Sequence, residues 1–323
     1  MGYPMAVNLR SKLSHDYTLL ICDVSKDSLE RFQEQVQGKG PVEAVQNGHE
    51  AMGRTNIVIT MLPGSPAVKA VYLDPDTGIL SGAVAAAKLS PQKKIIVECG
   101  TIETSTILEV AKASKETAAA LPSPATLTFI DAPVSGGPMG AEAGTLTFMV
   151  GCDSKNPTDA EIVFPSVKSV LSHMGNPNSI FACGPVGAGT AFKIINNYLS
   201  AITSLAASEA LNIGVKMGLD PHLLTDVINV SGGQCWVTSQ SNPVPGVHAN
   251  APASRGYEGG FRIELCKKVL GMGSELAEMV GARTILDKPT LEAFSEAASD
   301  PRYKGKDARV VYKWLNESER NNR

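Results

Sequence analysis

Runs of basic residues are missing from this sequence. Its 29 Lys and Arg are scattered among 32 Asp and Glu, for a formal charge of -3. That balance offers no electrostatic footprint for nucleic acid. Paired cysteines are missing too. Cys22, Cys99, Cys152, Cys183, Cys235 and Cys266 form no CxxC and no compact framework, which reads as reduced thiols in an intracellular protein. No run is apolar enough to span a bilayer. The best candidate, Ile194 to Leu219, is broken by Asn196, Asn197, Glu209, Asn212 and Lys216. The opening residues show neither a signal peptide nor an Arg-rich transit segment, and Ala6 stands where a myristoylation motif needs Ser or Thr.

Several catalytic arrangements are absent as well. There is no Y-x-x-x-K, which excludes the short-chain dehydrogenase arrangement, and no G-x-S-x-G. His49-Glu50 lacks a second His at zincin spacing. Asp74-Pro-Asp76-Thr-Gly78 fails as a calcium loop, because Gly78 occupies a ligand position and Ala85 replaces the final Glu. None of these segments predicts a metal.

What is present is ordinary globular composition. The 323 residues, 43% hydrophobic and 19% charged, suffice for about two domains. In the first half, short apolar runs alternate with helical patterns. Strands are expected at Thr18–Cys22, Asn56–Met61, Lys94–Glu98, Leu127–Ile130 and Leu146–Val150. Helices are expected from Ser25, an N-cap, through Phe32, and from Glu103 to Lys115. This alternation predicts an α/β fold with a doubly wound, mostly parallel sheet of Rossmann type. From about Gly187 the strand signal ends. Helical periodicity runs from Ala188 to Gly218, then around His222–Val230, Phe261–Val280 and Leu291–Ala298. The expected domains are 1–185, dinucleotide-binding, and 186–323, all-helical. A Pro/Gly-rich loop from Asn242 to Gly260 is long enough to suggest function.

The chain opens on a helical pattern, and Asp23 closes the next strand about twenty residues later. That is the distance at which a Rossmann unit places its ribose-binding acid. Gly2 then stands as the last glycine of a G-x-G-x-x-G whose first two glycines and preceding strand are absent. This pattern predicts an N-terminally truncated unit lacking its first, central strand.

The more specific signal lies further in. Asp131-Ala-Pro-Val-Ser135-Gly136-Gly137 leads to Gly144-Thr-Leu-Thr-Phe-Met-Val150-Gly151. Gly184-Pro-Val-Gly187-Ala-Gly189 and Lys193-Ile-Ile-Asn-Asn197 follow. These blocks, in this order, resemble the β-hydroxyacid dehydrogenase family. Gly232-Gly-Gln-Cys235-Trp236 and Asn242-Pro-Val-Pro-Gly-Val247 narrow the resemblance to its 3-hydroxyisobutyrate dehydrogenase branch, from Met1 to about Trp314.

The resemblance implies NAD-dependent oxidation of 3-hydroxyisobutyrate to methylmalonate semialdehyde. It makes Lys193 the catalytic acid/base, with Ser135, Gly136, Gly137 and Asn197 binding substrate. A loop without bulky side chains lets backbone N–H groups approach a carboxylate. Lys193 and Asn197, four residues apart, share one helix face. The cofactor positions implied are Gly2, Asp23, Leu62, Pro63, Thr101 and Lys268. A carboxylate at Asp23 favours NAD over NADP. Two departures stand out: Ala67 replaces a family Asn after Leu62-Pro63, and Val269 replaces the Asp after Lys268. The five histidines lie outside every block, which argues against a His-based 2-hydroxyacid dehydrogenase. A homo-oligomer acting on a small hydroxy acid is implied, without nucleic acid or membrane. The location implied is mitochondrial, or cytoplasmic if Met1 is the true start. The missing strand motivates one other reading, a cofactor-deficient paralogue that serves as a non-catalytic binding or assembly partner.

Overall fold

The computed structural model describes residues 1–152, 155 and 158–318. They form two compact units, Met1–Lys193 and Ile194–Arg323.

The first unit opens on helix α1 (Gly2–Lys12), which turns Met5, Leu9 and Arg10 inward. Arg10 is fully buried, and its guanidinium donates to the carbonyls of Leu13, Ser14, Tyr17 and Pro41. It thereby satisfies carbonyls that the helix end and the loops around it leave open. Gly40 lies so close that a Cβ would come within 2.7 Å of the guanidinium, and its φ of +120° suits glycine alone. Strand β1 (Leu19–Ile21), helix α2 (Lys26–Gln35) and strand β2 (Val42–Ala44) follow. Ser25 caps α2 by accepting the Ser28 N–H, as its position predicts.

Next come α3 (Gly48–Arg54), β3 (Ile57–Thr60), α4 (Ser65–Leu73), α5 (Ile79–Leu89), β4 (Lys93–Glu98), α6 (Thr104–Ala120) and β5 (Thr126–Asp131). Strands β3, β4 and β5 are parallel, with Thr60 opposite Glu98 and Glu98 opposite Asp131. Ile96, Ile107 and Phe129 bury one core against the helices, while Val97, Ile130 and Phe148 join another. A sheet covered on both faces needs near-continuous apolar strands, which is why these runs are legible in sequence. The unit closes with β6 (Val134–Ser135), α7 (Gly137–Ala143), β7 (Leu146–Val150), α8 (Phe164–Leu171) and β8 (Gly175–Ala182).

The α/β class and the parallel strands with helical crossovers stand as expected, but the ladders do not form one sheet. Among the described residues, β1–β2, β3–β4–β5 and β6–β7–β8 are three separate sheets, and β6 runs antiparallel to β7.

Helix α9 (Ala188–Lys216) begins in the first unit and runs on through the second. The second unit adds α10 (Pro221–Asn229), α11 (Trp236–Gln240), α12 (Ile263–Met279), α13 (Asp287–Ser299) and α14 (Val311–Ser318). Tyr257, Ile263, Leu270, Phe294 and Tyr303 form its core. The segment from Asn242 to Gly260 is tied down rather than loose. Asn242 donates to Thr225 Oγ1 at 2.9 Å, and the Tyr257 hydroxyl donates to the Pro243 carbonyl at 2.9 Å.

Candidate active site

The site residues of the first unit cluster where parallel strands end, the place an open α/β sheet reserves for ligands. Strand β5 ends at Asp131 and continues through Ala132-Pro133-Val134 into Ser135. Ser135 pairs with Thr147 of β7, which fixes the loop's direction. Gly136 and Gly137 then take φ of +130° and +64°, so the turn needs residues without a Cβ. Both glycines are exposed, and Ser135 is half-buried. Their amides are therefore open to an incoming anion.

Asp131 itself is fully buried. Its Oδ1 accepts the Gly187 N–H at 2.7 Å and its Oδ2 accepts the Thr190 N–H at 2.7 Å. Burial nevertheless pushes its pKa above the usual carboxylate range, the two amides only partly offsetting that push. Lys193 lies one turn beyond Thr190 on α9. It is buried to 9% exposure, and burial alone lowers its pKa to about 8. A lysine so tuned can exchange a proton near neutral pH. Asn197 follows four residues later, half-buried and on the same face.

A second buried carboxyl was not singled out from sequence. Glu98 ends β4 with no exposed surface. One oxygen accepts the Gly100 N–H at 2.6 Å; the other accepts from Thr60 Oγ1 at 2.5 Å and from the Tyr72 hydroxyl at 3.3 Å. The Leu62 N–H also points to it, and burial raises its pKa to about 7. Glu98 thus ties the loop after β3, with Leu62 and Pro63, to the loop after β4, with Thr101. Its only sequence signal was a charged residue ending an apolar strand.

The remaining positions are more dispersed. Gly2 starts α1, where a Cβ would stand 3.3 Å from the Met61 Cβ, just past β3. Asp23 is exposed after β1, and its Oδ1 accepts the Ser25 N–H at 2.8 Å. Lys268 belongs to α12 in the second unit. The neighbouring Val269 is 4% exposed among Ile194 and Met272, so an apolar residue suits that position. The Asp74 segment spends its Oδ1 on the amides of Asp76 and Thr77 and on the Thr77 hydroxyl, an Asx turn within its own loop.

Residues 1–184 match the family described as the NAD binding domain of 6-phosphogluconate dehydrogenase. Residues 187–315 match that described as NAD-binding of NADP-dependent 3-hydroxyisobutyrate dehydrogenase. A probable mitochondrial 3-hydroxyisobutyrate dehydrogenase of Dictyostelium discoideum is 36% identical, over 99% of this chain and 89% of its own. The chain belongs to the 3-hydroxyisobutyrate dehydrogenase family. An NAD-dependent L-serine dehydrogenase of Pseudomonas aeruginosa is 35% identical over 91% of this chain and 88% of its own. Among solved structures, a Mycobacterium tuberculosis 3-hydroxyisobutyrate dehydrogenase with L-serine superposes with a TM-score of 0.80 at 27% identity. That match covers 98% of this chain and 95% of the other. The family match begins at residue 1 and gives no support to reading the chain as truncated, and nothing in these likenesses favours a non-catalytic partner.

The family binds NAD, and the residues present fit a dinucleotide. Asp23, Leu62-Pro63 and Thr101 all follow the carboxyl ends of parallel strands. The N-cap of α1, Met1, makes no side-chain bond to the first turn, which leaves the helix amides available to a phosphate. The close approach of Gly2 to Met61 matches the packing role of a third fingerprint glycine.

Proposed function

We propose that this protein oxidises the primary alcohol of a short 3-hydroxy carboxylic acid, 3-hydroxyisobutyrate first, to the aldehyde methylmalonate semialdehyde. The observation that carries the reading is the double use of one strand end. Asp131 leads directly into the Ser135–Gly137 loop, and its carboxylate holds the first turn of the helix that bears Lys193. The loop amides and Ser135 bind the substrate carboxylate. Lys193, uncharged, takes the hydroxyl proton as the carbinol carbon is oxidised, and Asn197 orients the hydroxyl. NAD, when bound, supplies the hydride acceptor. Gly2, Asp23, Leu62, Pro63 and Thr101 hold it in residues 1–185, and the family resemblance adds Lys268 of residues 186–323 to the cofactor positions. Asp23 keeps one carboxylate oxygen for the ribose 2′-OH and repels a 2′-phosphate.

L-serine offers the same carboxylate and primary alcohol; one relative is named an L-serine dehydrogenase, and the Mycobacterium tuberculosis structure is of the enzyme with L-serine. The test is steady-state reduction of NAD and of NADP with 3-hydroxyisobutyrate, L-serine and isobutyl alcohol. The expected result is turnover of 3-hydroxyisobutyrate with NAD preferred, slower turnover of serine, and little with the alcohol that lacks a carboxylate. Equal rates with isobutyl alcohol would remove the anion loop from the reading.

The chain also self-associates in this reading. Ile195 and Leu199 on α9 and Leu223 and Val227 on α10 are i,i+4 pairs, as are Ile213 of α9 and Met217 just past its end, and each residue is more than half exposed. Apolar stripes of this extent call for cover by protein.

A further inference from the structure

We infer that Asp131 is a positioning residue for the reaction, acting through Lys193 by fixing where α9 begins. The inference rests on the reading of Lys193 as the acid/base. It adds a residue that touches neither substrate nor cofactor.

Three observations carry it. First, the carboxylate grips two amides of one helix turn. Gly187 N–H and Thr190 N–H reach separate oxygens at 2.7 Å each, so the helix is restrained against sliding as well as tilting. Second, the fit is close on every side. A Cβ on Gly151 would run into Asp131 Oδ1, and a Cβ on Gly189 would run into the Met149 carbonyl. The Gly151 N–H also donates to the Asp131 carbonyl at 2.7 Å, so β7 closes over the same residue. Third, the Lys193 side chain makes no hydrogen bond or ion pair among the described residues and is nonetheless buried. Nothing at its own amine holds it. Its place is set by its backbone, and that backbone is anchored at Thr190, three residues earlier.

Burying a carboxylate to hold two neutral amides costs more than a fold needs for a helix start. Ser, Thr or Asn would cap at lower cost. What the carboxylate adds is two acceptors on one rigid stem. An Asn keeps one acceptor and sets an NH2 against the other N–H, so α9 must shift. Misplacing a reacting group by about 1 Å can cost about a hundredfold in rate.

The test is a double-mutant cycle with Asp131→Asn and Lys193→Ala, read with 3-hydroxyisobutyrate and NAD. Asp131→Asn is expected to lower kcat about ten- to a hundredfold. The Kd for NAD and the inhibition constant of isobutyrate, which has the carboxylate but no hydroxyl, should change less than about threefold, as expected for sites whose contacts are untouched. In the Lys193→Ala background the same substitution should have little further effect, because groups that act as a unit are not additive. Additive losses would overturn the inference, and so would unchanged kcat in Asp131→Asn. A readout that needs no turnover runs alongside: the rate of reductive methylation of Lys193, followed by mass spectrometry. Asp131→Asn should raise that rate at Lys193 and leave the exposed lysines unchanged; an unchanged rate at Lys193 would also overturn it. If Lys193→Ala stays active, the acid/base reading fails by itself, while the methylation result still reports whether Asp131 sets the lysine's place. Should Asp131→Asn fail to fold, Asp131→Glu keeps the charge and lengthens the stem. Its full activity with unchanged methylation would overturn the proposal, and lowered kcat with retained NAD binding would support it.

Discussion

At the scale of single residues, burial sets the chemistry of two groups. Lys193 titrates near 8 because water is kept from its ammonium. Only the uncharged amine can accept a proton, so kcat/KM for alcohol oxidation should rise with pH and level off above about 8. Reduction of the aldehyde needs the ammonium and should fall over the same range. Lys193→Ala should lose that dependence and about 10²–10⁴ in rate. A variant that keeps more than about a tenth of the wild-type rate would remove Lys193 from this role. Glu98 is displaced in the opposite sense, its carboxyl pushed up to about 7 by burial. Its pKa in the folded chain lies above the unfolded value. The folded chain therefore keeps a proton that the unfolded chain has released between the ordinary carboxylate range and about 7. Stability is lost as pH rises through that window. Glu98→Gln should flatten the melting temperature between pH 5 and pH 7, an experiment for thermal denaturation at closely spaced pH. An unflattened profile would mean that other groups carry the dependence.

At the scale of elements, legibility followed burial pattern. The strands found from sequence, β1, β3, β4, β5 and β7, are short apolar runs between turn residues, and α6, α9 and α12 carry clear helical periodicity. The strand β8 was missed although it is the longest. Its sequence Gly-Asn-Pro-Asn-Ser-Ile-Phe-Ala reads as a turn, because most of its residues face outward. β2 has three residues and only half-buried or exposed positions, too few to establish a period. The helices α3, α4 and α5 went unread beside the strands that flank them. The turn at Ser135–Gly137 was legible as a turn, since glycines with positive φ announce themselves by type. The partners of Asp131 and Glu98 were not, because a buried carboxylate's donors come from segments dozens of residues away. At the loop itself, Ser135→Leu should raise KM for the hydroxy acid about tenfold or more, equivalent to about 1.4 kcal/mol of lost binding. kcat at saturation should stay close to wild type. Unchanged KM would mean that the carboxylate is held elsewhere.

For the molecule as a whole, the apolar stripes of α9 and α10 bear on assembly. Leu199→Glu with Leu223→Glu should shift sedimentation toward a smaller species while the helical content stays as in wild type. Unchanged sedimentation would remove these stripes from any interface. The three separate sheets have a different consequence, for the order in which the first unit opens. Among the described residues, strands β1 and β2 ladder only with each other, over three residues, above a small cluster of Ile21, Phe32 and Val36. Polar ties to the rest come from α1, where Arg10 reaches the Pro41 carbonyl, and from α3, where Arg54 pairs with Glu43. Native proteins open in cooperative pieces whose cost follows the apolar contacts each one breaks. The amides of Leu19–Ala44 should therefore exchange with deuterium well before those of β4 and β5. Asp23 sits at the end of β1, within this piece. A dinucleotide held there would spend part of its binding energy on closing it, and slowed exchange across these residues would report occupancy of the site without any turnover at all.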